Sequence, residues 1–102
     1  MKAAFKMKLL PGFAEEYKKR HEEIWPELAA VLRGNGISDY TIFLDEDTNI
    51  LFAVQLQSGK SSQNLGDTEI VKKWWAYMAD IMETNADHSP ISKNLVQVFH
   101  LD

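Results

Sequence analysis

The sequence predicts an α+β domain in which four strands and two helical segments follow one another in the order β-α-β-β-α-β. Four segments show the period-two alternation of half-buried strands. Two others repeat apolar residues at the spacing of an amphipathic helix, and polar or glycine-containing segments separate the elements. This order is that of the ferredoxin-like arrangement, in which both helices cover one face of an antiparallel sheet.

Residues 2–10 are predicted to form the first strand, because apolar and lysine side chains alternate along them. A proline–glycine pair ends this strand, and a helix is expected to follow as far as about Arg33. Pro26 lies inside the helical pattern, where it removes a backbone hydrogen bond and clashes with the preceding turn. We therefore expect a kink or a break near Ile24 and Trp25.

A glycine-containing stop at residues 34–36 separates this helix from a hairpin. The second strand is predicted over residues 37–44 and the third over residues 50–57, since both alternate and are rich in β-branched and aromatic side chains. The polar turn between them, residues 45–49, is short, so the two strands should pair antiparallel.

The second half of the chain is predicted to contain one more helix and one more strand. Residues 58–66 are expected to form a loop or a short helix. A strong helix is expected over residues 69–83, with Asp67 or Thr68 as its N-cap. Residues 94–101 alternate again and predict the last strand.

The predicted sheet has apolar side chains on both faces. In the second strand, Phe43 lies opposite Tyr40 and Ile42, and in the third, Leu51 lies opposite Phe52. Helices cover only one face in this arrangement, so the other face must pack against something else. A second copy of the chain is the simplest candidate, and we predict a homodimer.

Composition limits the classes of function. With 102 residues the chain is expected to form a single domain, residues 1–102. A net charge of −4 without a separate basic cluster disfavours nucleic acid and anionic membranes as partners. There are no cysteines, no apolar run of membrane-spanning length and no signal-peptide pattern after Met1. We therefore expect a soluble cytoplasmic protein.

Two residue pairs are candidates for chemistry. Tyr17 and His21 are four positions apart on the first helix, so they lie on one face, and histidine exchanges protons near neutral pH. Trp74 and Trp75 point about 100° apart on the second helix. We therefore expect that they do not both face the same core, and that at least one of them borders the rim or a cavity. A Trp face stacks well on the apolar face of a pyranose. Packing alone is the alternative interpretation of either pair.

The other charged and histidine residues are not expected to form a site. His88 is interpreted as a solvated loop residue and His100 as a packed or surface residue. The acidic pairs at positions 15–16 and 22–23 are interpreted as a solvated helix face paired with Lys and Arg. No metal-ligand spacing and no glycine-rich phosphate loop is present, so no metal is expected.

The sequence resembles one family over essentially its whole length. The segment from Tyr17 to Leu28, Y-K-K-R-H-E-E-I-W-P-E-L, resembles the signature helix of the L-rhamnose mutarotase family, Y-x-x-R-H-x-x-I-W-P-E-L. The run W-W-A-Y-M from Trp74 to Met78 is also similar to that family. Further similar stretches are residues 40–45, residues 49–52, Asp80, Met82 and the Ser89–Pro90 segment.

This resemblance implies a dimeric ferredoxin-like α/β barrel that interconverts the α and β anomers of L-rhamnose. It places the family's proton donor on His21, its sugar-binding tyrosines on Tyr17 and Tyr40, and its paired indoles on Trp74 and Trp75. The expected ligand is a small monosaccharide, L-rhamnose or a related deoxy sugar. Acid/base transfer and positioning suffice for this reaction, so no cofactor is expected.

One segment departs from the family's pattern, and two other functions stay open. Residues 59–66 lack the helix-forming, Trp-containing character of family members, which affects the expected shape of that edge. The first alternative is a cofactor-free or haem-acting monooxygenase on the same dimeric scaffold. The second is a non-catalytic sugar-binding or assembly module, in which the aromatic residues serve only packing.

Overall fold

The structure is a computed structural model that describes all 102 residues. It contains four strands, three α-helices and one 3-10 turn at Ser62–Asn64. None of the helices has the length and apolar character required to cross a membrane. The elements, in chain order, are β1 (Lys2–Lys8), α1 (Ala14–Glu22), α2 (Pro26–Gly34), β2 (Ile37–Asp45), β3 (Ile50–Gln57), α3 (Glu69–Met78) and β4 (Lys93–Leu95).

The four strands form one antiparallel sheet in the order β2-β3-β1-β4. This confirms the predicted α+β class, the antiparallel sheet and the hairpin between β2 and β3. The central strands β1 and β3 pair along their whole length, from Lys2 opposite Leu56 to Lys8 opposite Ile50. The side chain of Phe5 is therefore held at the middle of the sheet.

The predicted helix break lies where Pro26 requires it. Helix α1 ends at Glu22, and α2 begins with Pro26 as its first residue. Trp25, between the two helices, is extended, with φ −64° and ψ 129°. Proline is well placed at a first helical position, because the amide that it lacks has no partner there. The break lets α1 and α2 take different directions over the sheet.

A β-bulge lies near the start of β2. The register of β2 against β3 shifts between Ser38 and Thr41, and Asp39 has a positive φ of 47°. The extra residue changes which positions face inward, because strand side chains otherwise alternate strictly. As a result Ile37 is buried with 2% exposure, and Tyr40, three positions later, also packs against the core.

The prediction that the second helix extends to residue 83 is wrong, because α3 ends at Met78. The following residues leave the helix to pair with the segment after β1. Leu9 forms a bridge with Met82, and the Leu10 amide donates to the Ile81 carbonyl at 2.8 Å. Ile81 is fully buried there, so this segment contributes to the core without being helical.

The prediction of a last strand over residues 94–101 is also largely wrong. Strand β4 covers only Lys93–Leu95, and residues 96–102 have no regular structure. Leu95 pairs with Ala4, and β1 begins only two residues further, at Lys2, so little of β1 is left to pair with the tail. The alternating pattern of the tail therefore finds no partner strand within the chain.

A single core lies between the three helices and one face of the sheet. On the sheet side it includes Phe5, Met7 and Leu51, and on the helix side Leu28 and Val71. The opposite face of the sheet has no helix against it, and Phe43 on that face is 62% exposed. Both helical segments thus cover the same face, as the sequence predicts.

Candidate functional site

A cavity of about 1010 Å³ lies between the helices and the inner face of the sheet. Its wall combines side chains from α1, β2 and α3 with the 3-10 turn. All of the predicted site residues line it, namely Tyr17, His21, Tyr40, Trp74 and Trp75. The fold therefore brings together residues from three separate parts of the sequence.

Tyr17 and His21 form the helical pair that the sequence predicts. Their ring centroids are 4.3 Å apart with an interplanar angle of 31°. The His21 Nδ1 atom lies 2.9 Å from the backbone carbonyl of Tyr17. A carbonyl only accepts hydrogen bonds, so Nδ1 must be the donor and carry the hydrogen. In the neutral ring, the free lone pair is then on Nε2, which makes no hydrogen bond within the chain.

The surroundings of His21 favour its neutral form. Burial lowers the pKa of His21 from its ordinary 6.5, and the hydrogen bond to Tyr17 opposes this effect without cancelling it. A histidine with such a pKa is a base at neutral pH. Together with the hydrogen bond at Nδ1, this makes Nε2 the basic atom of the site.

The two tyrosines keep their hydroxyl hydrogens. Burial raises the pKa of Tyr17, as does its proximity to Tyr40. Burial also raises the pKa of Tyr40, against a smaller lowering by a hydrogen bond with Ser62. Both phenols are therefore available as hydrogen-bond donors as well as acceptors at neutral pH. Hydroxyls beside the apolar and aromatic side chains of the wall are suited to orient a polar ligand.

The paired indoles diverge, but the expectation that they do not share one core is wrong. Trp74 lies edge-on to His21, with ring centroids 5.4 Å apart and an interplanar angle of 88°. Trp75 points the other way and packs on Gly66, where an added Cβ would lie 2.6 Å from the indole. Each is only 8% exposed and belongs to the core. Both nevertheless line the cavity, because the core surrounds α3 on two sides.

Two further aromatic residues support the site without having been selected from the sequence. Trp25 packs edge-on against Trp74, with centroids 5.1 Å apart, and stacks on Tyr77 at 5.5 Å and 29°. Both residues stand inside the family-like motifs, which was the only signal available. Their positions show that the break before α2 places an indole behind the wall of the cavity.

The segment that departs from the family's pattern contributes polar atoms to the cavity. Its 3-10 turn places Ser62 and Gln63 in the wall, in agreement with the predicted loop or short helix. Fully buried Gln55 fixes this turn, since its Nε2 donates to Ser62 Oγ at 2.9 Å and its Oε1 accepts from the Ser62 amide at 3.1 Å. Sequence periodicity gave no sign of this buried polar pair.

The other histidines lie away from the cavity. His88 is exposed in the loop before β4, and His100 contacts Asp102 at 2.9 Å in the exposed tail. No group of three or more His, Asp or Glu side chains is arranged to hold a metal ion. On α1, the predicted pairing of acidic and basic residues is present between Glu16 and Arg20, at 2.7 Å.

The family is decided by comparison with known proteins. A family model described as L-rhamnose mutarotase matches residues 2–101. The chain belongs to the L-rhamnose mutarotase family. An L-rhamnose mutarotase of Bacteroides thetaiotaomicron is 62% identical over 100 residues, covering 97% of this chain and 96% of the relative. One of Lachnoclostridium phytofermentans is 53% identical and covers 100% of this chain and 99% of the relative.

A solved structure of the same family has the same fold. The crystal structure of an L-rhamnose mutarotase from Formosa agariphila superimposes with a TM-score of 0.94 at 52% sequence identity. The match covers 100% of this chain and 99% of the crystallised one. The family resemblance noted in the sequence is thus confirmed over the whole chain, including the segment that departs from the motif pattern.

Proposed function

We propose that this member of the mutarotase family interconverts the α and β anomers of L-rhamnopyranose, with His21 as the group that moves the proton. The observation that carries the proposal is the state of the imidazole. It stands in the cavity wall with Nδ1 bound to the Tyr17 carbonyl and Nε2 unbonded. This arrangement gives a monosaccharide one defined basic nitrogen.

Mutarotation moves one proton and breaks one ring bond. The anomeric hydroxyl loses its proton, the bond between C1 and the ring oxygen breaks, and the ring oxygen gains a proton. The open aldehyde then turns about C1–C2, and the reverse steps close the ring on the other face. Both oxygens are bonded to C1, so a single nitrogen that first accepts and then donates can serve both. The resemblance implies that His21 acts as the proton donor, but its lowered pKa favours the unprotonated ring, so we place acceptance before donation.

The other wall residues hold the sugar. Tyr17 on α1 and Tyr40 on β2 carry protonated hydroxyls. They are suited to bind sugar hydroxyls from the helix side and from the sheet side of the cavity, respectively. Trp74 and Trp75 supply the apolar surface for the C–H face of the ring and for the methyl group of a 6-deoxy sugar. Fixing the sugar against His21 contributes to the rate, because the reacting groups are already oriented.

The experiment is anomer exchange measured by saturation-transfer NMR with L-rhamnose, comparing His21→Asn with the matched variant His88→Asn. We expect His21→Asn to lower the exchange rate by about 10²–10⁴-fold, with the fold retained by circular dichroism. His88→Asn changes the same side chain in an exposed loop, where its positive φ of 71° suits asparagine. It should exchange anomers like the unmodified protein.

A folded His21→Asn protein with the full exchange rate would refute the proposed role of the imidazole. A titration of tryptophan fluorescence with L-rhamnose tests the sugar-binding role of the indoles separately. Trp74→Ala and Trp75→Ala should weaken binding more than they slow the reaction of bound sugar. An unmodified protein that shows neither exchange nor a fluorescence change with deoxyhexoses would refute the mutarotase proposal, and a fluorescence change without exchange would indicate a non-catalytic sugar-binding module.

We also propose the ferredoxin-like homodimer, closed into an α/β barrel by the uncovered faces of two sheets. On that face, Phe43 of β2 lies opposite Phe52 of β3, and Val54 lies between Thr41 and Ala4. The lysine side chains of β1 border this apolar group. Pairing two such faces removes this surface from water. The element order and the strand order β2-β3-β1-β4 support the ferredoxin-like description.

Light scattering after gel filtration tests the dimer. Phe43→Lys places a charge on the uncovered face and should give monomers. Phe13→Lys, which changes an exposed aromatic side chain at the start of α1 on the helix side of the sheet, should leave the dimer intact. A dimer that survives Phe43→Lys would contradict the proposed interface. The cytoplasmic location and the exclusion of nucleic acid and membrane partners remain predictions from the sequence.

A further inference from the structure

Arg20, the residue before His21, makes an unusually complete set of contacts for a helix surface residue. Its Nε donates to Glu16 at 2.7 Å, and its Nη1 donates to the Tyr77 carbonyl at 2.8 Å. Nη1 and Nη2 also donate to the two oxygens of Asp80, at 2.9 Å and 3.2 Å. The side chain is only 10% exposed although all of these partners lie at the surface.

These contacts join two parts of the chain that are far apart in sequence. Glu16 is on α1 itself, whereas Tyr77 and Asp80 lie at the end of α3 and just beyond it. The last carbonyls of a helix have no partner within it and favour a cation, so Arg20 caps α3 as well as pairing with a carboxylate. The guanidinium also lies over the Tyr77 ring, 4.4 Å from its centroid.

The bidentate contact between the Arg20 guanidinium and the Asp80 carboxylate fixes the geometry of this connection. A guanidinium that binds both oxygens of a carboxylate fixes distance and angle together, which an ammonium does not. Hydrogen bonding to Arg20 also lowers the pKa of Asp80, so the carboxylate stays charged at neutral pH. The surface pair between Lys8 and Glu83, at 3.7 Å, has no such second contact.

The connection closes a ring of contacts around the candidate base. Arg20 is bonded through the backbone to His21, which lies edge-on to Trp74 at 5.4 Å. Trp74 is 5.7 Å from Tyr77, and Tyr77 receives the guanidinium on its ring and its carbonyl. Movement of α1 relative to α3 would therefore strain this ring of contacts at the same time as it moved the imidazole.

We propose that Arg20 and Asp80 are positioning residues that hold the imidazole of His21 edge-on to Trp74 in the cavity wall. Neither residue lines the cavity, so they act through the placement of α1 against α3. The inference rests on the proposed role of His21 for its catalytic consequence. Small displacements of a reacting group are costly, since a shift of about 1 Å can reduce a rate about 10²-fold.

The test compares Asp80→Asn and Arg20→Lys with the control Glu83→Gln. Asp80→Asn keeps the size of an exposed side chain and removes one charge, and Glu83→Gln makes the equivalent change in the looser surface pair. Arg20→Lys keeps the charge and removes the fork. Each variant is examined by circular dichroism, by anomer-exchange NMR over a range of L-rhamnose concentrations, and by the ¹H–¹³C signals of the His21 ring.

We expect kcat to fall about tenfold or more in Asp80→Asn and further in Arg20→Lys. KM should change less than about threefold, because the residues that touch sugar are unaltered. The His21 ring signals should move in both variants, since the neighbouring rings of Tyr17 and Trp74 shift them. Glu83→Gln should match the unmodified protein in all three measurements. If Arg20→Lys does not fold, the exchange rate and the His21 ring signals of Asp80→Asn alone decide whether the inference holds.

Unmoved His21 signals in a folded Asp80→Asn protein would overturn the inference, whatever happens to kcat. If the His21 ring signals move but kcat is unchanged, the positioning of the ring has no catalytic consequence, and that part of the inference is overturned. The ring signals do not depend on the chemistry of His21. A fully active His21→Asn protein would therefore refute the proposed function, while the positioning of the ring would still be measurable.

Discussion

The two faces of the sheet differ both in coverage and in composition. On the inner face, Phe5 and Leu51 are 2% and 1% exposed beneath the helices. On the outer face, Phe43 is 62% exposed, and Leu56 and Leu95 are 37% exposed. The inner face is completed within one chain, and it carries the cavity. The outer face combines the apolar side chains of β2 and β3 with the lysines of β1, and it has no covering element.

The tail extends this difference beyond the sheet. Val96, Val98, Phe99 and Leu101 are 77–93% exposed, and no strand within the chain pairs with them. Exposed apolar groups of this extent mark surfaces that bind a partner. The candidate site and the proposed association surface therefore lie on opposite sides of one sheet, so substitutions can disturb them separately.

The largest expected difference between the faces is in stability. Phe5→Ala should lower the free energy of unfolding by about 3–5 kcal/mol, because it leaves a cavity in the core. Phe43→Ala, the same change on the outer face, should act through association, so its effect should depend on protein concentration. Urea unfolding at two protein concentrations checks both. A cost for Phe43→Ala equal to that of Phe5→Ala at every concentration would remove the distinction.

A smaller effect is expected within the inner side, at the contact between Gly66 and Trp75. Gly66→Ala should cost about 1–3 kcal/mol, because the added Cβ overlaps the indole. The displaced indole should also weaken L-rhamnose binding in a fluorescence titration. Gly59→Ala is the matched control, because nothing lies within 4 Å of its added Cβ. Equal behaviour of the two variants would show that Trp75 is not held by this contact.

A pH dependence near neutrality is expected from His21 on the inner side. The pKa of His21 is lowered from 6.5 in the folded chain, so the unfolded chain takes up this proton first as the pH falls. The contribution of His21 to stability is therefore complete above pH 6.5 and is lost below it. The exchange rate should fall on the same side, with an apparent pKa below 6.5. A His21→Asn protein should lack this pH dependence of stability. An exchange rate that falls on the acidic side with an apparent pKa above 6.5 would contradict the assignment to His21.

The smallest expected effect belongs to the tail. Val98 is 93% exposed, so Val98→Ser should change the stability of the monomer by less than about 0.5 kcal/mol. It should weaken the dimer by about 1 kcal/mol if the side chain is buried against a partner. Sedimentation equilibrium measures this difference. An unchanged dimer would restrict the association surface to the sheet face around Phe43.

Local pattern predicts most of the fold because each element carries its own periodicity and its own stop signals. The strands β1, β2 and β3 and the break before Pro26 are examples. The errors occur where a distant part of the chain decides the outcome. Residues 79–83 have a helical pattern, yet pairing with Leu9 and Leu10 draws them out of the helix. Residues 96–101 have a strand pattern, yet no neighbouring strand remains for them.

The site was predictable only in part, for a similar reason. Tyr17 and His21 are joined by helical spacing, Trp74 and Trp75 are indicated by their divergence on one helix, and the family resemblance added Tyr40. Arg20 stands inside the family-like motif, but its spacing carried no further signal, because a basic residue four positions after Glu16 is typical of a solvated helix. Its partner Asp80 lies sixty residues away in sequence. Such a contact depends on how α1 and α3 meet, which periodicity does not encode.

The bulge in β2 has a consequence for how the free chain behaves in solution. β2 is an outer strand of the sheet, and a continuous ladder on such a strand invites pairing with other molecules. The positive φ of Asp39 interrupts that ladder and increases the local twist. The same bulge that turns Tyr40 toward the cavity therefore makes the edge strand β2 a poor template for the addition of strands from other molecules and for fibre growth.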